Sequence, residues 1–316
     1  MLSILIPIYN IDVLPLVYLL YHGAKAQQID FEIICIDDCS PKKDFLQALK
    51  HSDLLQKENI HLIELAENIG RAKIRNKLAH KAQYEHLWFM DADMMPIGKS
   101  ATERLKSAKI LLANYIDTIQ AQIKKPFVIY GGQTFGKEKP YDFSLHLHWF
   151  SGNERESKLA AQRNAQPYAN FITTNFICHR DVFKYTNFDE HLKQYGHEDT
   201  IFGRDLKLHN IPIIHIDNAM ENTGLGNAKW FIEKNKLAIQ NLYEISTYSD
   251  LSQSNIRLWD TYQKLKKYKL TFPMRCFHVL AHQYIENYIS SREFPNLKVF
   301  DIYKLGYLCQ VAHEKK

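Results

Sequence analysis

Over the first hundred positions the apolar residues gather into four short runs: Leu2–Tyr9 "LSILIPIY", Phe31–Asp38 "FEIICIDD", Ile60–Leu65 "IHLIEL" and His86–Asp93 "HLWFMDAD". Helix-like stretches follow the first three, over residues 12–26, 42–56 and 70–84. Continuous apolar runs suit strands buried on both faces, and their alternation with helices predicts an α/β fold with a mostly parallel sheet. Ligands of such sheets sit in the crevice beyond the carboxyl ends of the strands. Polar residues stand at those ends: Asn10, Asp37 with Asp38, Asn68, and Asp91 with Asp93.

Beyond residue 98 the rhythm changes. A helix is predicted over 100–123. "KPFVIYGGQTF" and "FSLHLHWF" read as strands, with His146 and His148 on one face of the second. "NERESKLAAQRNA" reads as a polar helix, "NFITTNFICHRDVF" as a strand entering a short helix, and "IPIIHIDNA" as a last strand. An amphipathic helix capped near Asn227 comes next. From Asp250 onward the chain is rich in Tyr and Lys, helical in pattern, and divided by Pro273 and Pro295. The expected organisation is one domain over 1–250, in halves 1–98 and 99–250, with a helical C-terminal extension over 251–316.

Composition narrows the choice a little. Of 316 residues, 46% are hydrophobic and 24% charged, as in ordinary globular proteins. The formal charge of +5 suits anionic ligands or a membrane surface and is too small to indicate nucleic acid. Five cysteines without a CxxC pair fit a reducing compartment and offer no zinc site. The N-terminus lacks a basic region ahead of its apolar run, and no run approaches the ~20 residues that span a bilayer. A cytoplasmic protein, peripheral to the inner face of the membrane, is expected. The lysines of "YQKLKKYKL" are the candidate membrane contact.

Two acidic knots carry the candidate chemistry. In "FMDADMM", a strand breaking at Asp91 lets the next residues turn and present Asp93 outward, where a carboxylate suits a hard divalent cation holding phosphate oxygens. In "YGHEDTIFGRDL", Glu198 and Asp199 open a helix whose dipole favours their ionised form, as a general base requires. A Gly-Arg-Ala-Lys helix start at Gly70 offers N–H groups and cations to phosphate.

Taken in order, "SILIPIYN", "IICIDDCS", "ENIGRAKIRN", "DAD" and "FDEHLKQYGHEDTIFGRDL" resemble the family-2-type inverting glycosyltransferases of GT-A fold. The block from Asn175 to Asp199 also resembles the galactosyltransferase-like acceptor half of bacterial polysaccharide enzymes. The resemblance implies a Rossmann-like nucleotide-sugar-binding half over 1–98 and an acceptor half over 99–250. Pro7, Tyr9, Asn10 and Asp38 would hold the base and ribose, with Asp37 in support. Asn68, Gly70, Arg71 and Arg75 would line the uracil and phosphate side, and Asp91 would contact ribose or sugar. Asp93 would bind Mn²⁺ or Mg²⁺, Asp199 would be the general base, and Glu198 a sugar contact. The implied partners are a UDP-sugar and a glycan or lipid-linked acceptor.

Relatives of this type supply a further metal-binding His; the comparable run "DNAMENTGLG" has Asn222 there, and His215 is the substitute candidate. A non-catalytic nucleotide-sugar- or glycan-binding protein on the same fold is the alternative that Asn222 keeps open. Trp149, Phe150, Phe176 and Tyr195 are candidates for stacking on acceptor sugars, and Asn170 and Asn175 for bonding their hydroxyls.

Overall fold

The computed structural model describes all residues except Ile123, Lys193, Gln194, Gln253 and Lys316. The expected helix end at Ile123, and Lys193 and Gln194 of "FDEHLKQYGHEDTIFGRDL", therefore lie outside the described residues.

The first half follows the hydrophobic pattern closely: β1 (Leu2–Ile8), α1 (Leu14–Ala26), β2 (Phe31–Asp37), α2 (Asp44–Lys50), β3 (Ile60–Glu64), α3 (Arg71–Lys81) and β4 (His86–Met90). The second half contains β5 (Met94–Met95), α4 (Ala101–Gln120), β6 (Val128–Tyr130), β7 (Gln133–Thr134), α5 (His146–Arg155), α6 (Ala160–Asn164), β8 (Asn175–His179), α7 (Glu198–Leu208), β9 (Ile213–His215) and β10 (Met220–Asn222). Four longer helices close the chain: α8 (Ala228–Tyr248), α9 (Arg257–Lys267), α10 (Thr271–Ser290) and α11 (Leu297–Glu314).

Seven strands form the central sheet in the order β3-β2-β1-β4-β8-β6-β9. Pairing is parallel from β3 to β4, and β8 alone runs against its neighbours β4 and β6. Alternate residues of β1 feed two cores. Ile4, Ile6 and Ile8 join Leu16, Val17 and Leu20 of α1 and Leu112 of α4 on one face. Leu5 joins Ile74 and Leu78 of α3 and Phe202 and Leu206 of α7 on the other. Both faces are dry, which is why the strands read as unbroken apolar runs. A second sheet, β5-β10-β7, sits beyond the end of β4. The C-terminal helices pack through Leu242 and Ile245 of α8 against Leu308 of α11, and through Ile232, Ile285 and Phe300 toward Leu147 of α5.

Three expectations are corrected. "FSLHLHWF" is helical, a 3-10 turn opening into α5, started by the Asp142 carboxylate accepting from the Ser144 N–H at 2.8 Å. Residues two apart on a helix point in different directions. His146 is buried against the carbonyls of Pro140 and Glu293, whereas the His148 Nδ1 accepts from the Gly226 N–H. "IPIIHIDNA" is not the last strand, since β10 follows it. The polar helix predicted in "NERESKLAAQRNA", which precedes that strand, is interrupted between α5 and α6.

Candidate active site

The carboxyl ends of β1, β2 and β4 and the start of α3 enclose a cleft of about 150 Å³, lined by Pro7, Tyr9, Asp38, Arg71, Arg75, Asp91 and Asp93 among others. Asp37 is fully buried and works from behind. It accepts from the Ser40 N–H and hydroxyl and from Lys43 Nζ at 2.9 Å, holding the turn after β2. Asn10 joins the same turn, its N–H donating to Ser40 Oγ at 2.8 Å. Asp38 lies in the cleft and accepts from the Ile69 and Gly70 N–H groups at 2.7 and 3.0 Å. The Asn68 amide donates to the Asp38 carbonyl. Two turns far apart in sequence are thus clamped around one carboxylate, which burial keeps above its ordinary pKa.

The two acidic knots meet on two guanidinium groups. Arg75 is 1% exposed; its Nη2 bonds Asp91 Oδ1 at 2.5 Å and its Nη1 lies 3.7 Å from Glu198 Oε1. Arg71, one helical turn earlier and more open, reaches Glu198 Oε1 at 3.1 Å and Asp91 Oδ2 at 3.9 Å. Burial alone would push Glu198 up, but Arg71 and Arg75 outweigh it and hold this carboxyl below its usual range. Burial would likewise depress Arg71, yet Glu198 and Asp91 keep it firmly charged. Neither guanidinium can leave without stranding buried carboxylates, so the network is a fixed electrostatic frame.

Asp199 follows Glu198 in the first turn of α7. Gly196, at φ +101°, and His197, at φ 71°, turn the chain sharply into that helix. Burial, and then the charge of Glu198, push Asp199 up to about 6, against the pull of the Thr200 N–H at 2.7 Å and of Arg75. Tyr195 lies under Arg71, with the guanidinium carbon 4.8 Å from the ring centre. Three participants escaped the motif reading. Lys234 of α8 sits 5.2 Å from the same ring. Glu156 is held up at about 7, first by burial and then by Asp199. Gly224 is the third. Lys234 and Glu156 lie in sequence among surface-type charges, and no local signal marks them.

Asp93 is also pushed up to about 6, by burial first and then by Asp91, with Arg71 opposing. Its Oδ1 is buried without a hydrogen-bond partner among the described residues. The chain segment after β10 lies against it: the Thr223 N–H and hydroxyl donate to the Asp93 carbonyl at 2.9 and 2.8 Å. A Cβ at Gly224 would lie 2.2 Å from Asp93 Oδ2, so only glycine permits this approach. The described residues contain no group of three or more His, Cys, Asp or Glu arranged to hold a metal. An ion here would take one carboxylate from the chain and its other oxygens from ligand and water, a donor set that suits Mg²⁺ or Mn²⁺.

His215 has both ring nitrogens engaged within the fold. It is buried, Arg163 Nε donates to its Nδ1 at 3.2 Å, and its Nε2 bonds the Pro167 carbonyl at 2.9 Å. Asn222 is committed too, its Oδ1 accepting from the Gly224 N–H at 2.9 Å. Among the acceptor candidates, Asn175 is corrected. Fully buried, it accepts from Trp88 Nε1 and the Tyr115 hydroxyl at 3.0 and 2.8 Å and donates to the Gly132 and Asn218 carbonyls, fastening β8 to its surroundings. Phe176 is corrected as well, being stacked in the core on Phe89. Trp149 is half-buried on α5, edge-on to Phe150, with no partner for its indole N–H among the described residues.

The family model described as "Glycosyl transferase family 2" matches residues 3–186. The putative teichuronic acid biosynthesis glycosyltransferase TuaG of Bacillus subtilis (strain 168) is 40% identical over 65 residues, which make up 20% of this chain and 24% of that protein. Among solved structures, the mannosyltransferase PcManGT from Pyrobaculum calidifontis, in complex with GDP-Man and Mn²⁺, aligns over 99% of this chain and 86% of its own at 14% identity and a TM-score of 0.53. TarS of S. aureus aligns over 84% of this chain but only 47% of its own, at 21% identity and a TM-score of 0.45. The match thus spans about a quarter of the curated relative and half of the TarS chain. The family match runs from β1 through β8, so it takes in the cleft, Arg71, Arg75, Asp91 and Asp93, and the chain belongs to glycosyl transferase family 2 as a glycosyltransferase of GT-A fold.

Proposed function

We propose that this glycosyltransferase moves a sugar from a UDP-sugar to a hydroxyl of a glycan or lipid-linked acceptor, with inversion at the anomeric carbon. One observation carries the reading: Asp91 and Glu198, next to Asp93 and Asp199 respectively, share the same two guanidinium groups at one crevice. Pro7, Tyr9 and Asp38 border the pocket for base and ribose, with Asn10 in the turn behind it, and Asp91 borders the sugar side. Arg71, the more open of the two cations, faces the diphosphate. A divalent ion on Asp93 would supply further positive charge to the diphosphate leaving group. Asp199 takes the acceptor proton as the hydroxyl attacks from the face opposite that leaving group, which inverts the anomeric centre. Tyr195 and Trp149 are the aromatic surfaces offered to acceptor sugars. A panel of nucleotide sugars with Mn²⁺ or Mg²⁺, scored for nucleotide release, tests this. A UDP-sugar should be turned over, slowly without acceptor; release from none of the panel would refute the transfer reading.

The extension beyond residue 250 supports a location at the inner face of the membrane. No helix among the described residues is long and apolar enough to cross a bilayer. The outward stripe of α10, however, carries Phe277, Leu280 and Tyr284 at helical spacing, with Leu280 87% exposed and Phe272 exposed at the start of the helix. Lys264, Lys266 and Lys267 end α9 immediately before it. Apolar side chains bordered by lysines fit an anionic bilayer surface. The protein should co-sediment with phosphatidylglycerol vesicles more than with phosphatidylcholine ones, and Leu280→Asp should release it. Equal partition of wild type and variant would count against the contact.

A further inference from the structure

A second and larger cavity, about 710 Å³, separates the α5–α6 turn from the C-terminal helices α9 and α11. Its volume is within the range of small-molecule sites, about 300–1,000 Å³. Its described lining sets four cations, Arg155, Lys158, Arg257 and Lys304, against two carboxylates, Glu154 and Asp301. Asp301 is already shared, 3.0 Å from Arg155 and 3.1 Å from Lys304. The Lys158 ammonium donates to a neutral group, Asn170 Oδ1, at 2.8 Å.

The charge excess is felt by the groups themselves. Burial and then Arg257 pull Lys158 down from its ordinary value, and burial and then Arg155 do the same to Lys304. Partly desolvated cations that repel one another are costly unless an anion comes between them. Guanidinium and ammonium groups converging on one groove offer carboxylate or phosphate both charge and directed donors.

The wall of the groove flanks Glu156 in sequence. Glu154, Arg155 and Lys158 line it, while Glu156, between them in sequence, turns the other way and accepts from the Gln133 amide. Glu156 also lies within the field of Asp199 on one side and of Arg155 and Lys158 on the other. One turn of chain therefore joins the cationic wall to Glu156, whose carboxyl feels the charge of Asp199.

We propose that this groove seats an anionic stretch of the acceptor glycan, its carboxylate or phosphate groups held by Arg155, Lys158, Arg257 and Lys304, with the terminal hydroxyl led past Glu156 to Asp199. The assignment rests on the transfer reading above and names the acceptor class that reading leaves open. It also gives the C-terminal helices a part in acceptor choice, since Arg257 and Lys304 belong to α9 and α11.

Isothermal titration of the full-length protein, without donor, tests the groove with three oligosaccharides: tetragalacturonate, pentamannose phosphate and neutral maltotetraose. At least one anionic sugar should bind about tenfold or more tighter than maltotetraose and weaken with added salt. The tighter of the two distinguishes carboxylate from phosphate. Lys158→Glu with Arg257→Glu should lose about tenfold or more of that affinity, and Arg257→Ala alone a smaller part, while donor hydrolysis without acceptor stays unchanged and the thermal midpoint does not fall. Wild-type affinity in the variants, or equal binding of maltotetraose, overturns the proposal. Because donor is absent from the titration, a silent nucleotide-sugar panel counts against transfer, whereas unaltered variant binding counts against the groove.

Discussion

Asp199→Asn is expected to slow sugar transfer by about a thousandfold, the loss typical of removing a positioned general base, while the nucleotide sugar binds as before. The amide keeps the size of the carboxylate and can still accept from the Thr200 N–H, so α7 keeps its first turn. What it cannot do is take the acceptor proton. The pH profile provides an independent check. Burial and Glu198 place the Asp199 pKa near 6, so wild-type transfer should fall as pH drops through about 6, with no such inflection in the residual activity of the variant. Stability should move the other way. A carboxyl raised from 3.8 to about 6 binds its proton more tightly folded than unfolded, so it adds stability as pH falls from about 6 to 4 and opposes folding when ionised at pH 7. The variant should therefore unfold no earlier than wild type at pH 7. A variant that transfers at the wild-type rate would remove Asp199 from the chemistry.

Asp93→Ala carries the second large effect, on binding rather than on the proton. The buried Oδ1, without a partner among the described residues, is the group through which the chain would hold a divalent ion. Its loss should weaken UDP binding by at least about tenfold in the presence of Mn²⁺. With a chelator in place of the metal, wild type and variant should bind alike. Titration of UDP with and without Mn²⁺ separates these cases, because a purely structural defect would weaken binding in both. The alanine also removes a carboxylate that burial and Asp91 force up to about 6, so its fold should not suffer at neutral pH. Equal metal-dependent binding by both proteins would overturn the role given to Asp93.

The layered half of the molecule and the chemical character of its site were legible in the pattern of residues along the chain. Runs such as Leu2–Ile8 and Phe31–Asp37 are apolar at nearly every position because both faces of the sheet are covered, and that signal is local. The acids at the strand ends were legible for the same reason, since polar groups at the close of a buried run must face a crevice. Which partners those groups have depends on the packed fold. "LHLHW" alternates like a strand, yet Asp142 starts a helix there and His146 spends both ring nitrogens on carbonyls from residues 140 and 293. The sheet β5-β10-β7 is made of strands of two or three residues, too short for any period to register. His215 and Asn175 looked like free polar groups along the chain, but distant backbone carbonyls and side chains consume their hydrogen bonds. The joining of Asp91 to Glu198 through Arg71 and Arg75 spans more than a hundred positions. Periodicity reports which side of an element is dry, whereas a hydrogen bond or ion pair depends on what folding brings within about 3 Å, and that is a property of the packed chain alone.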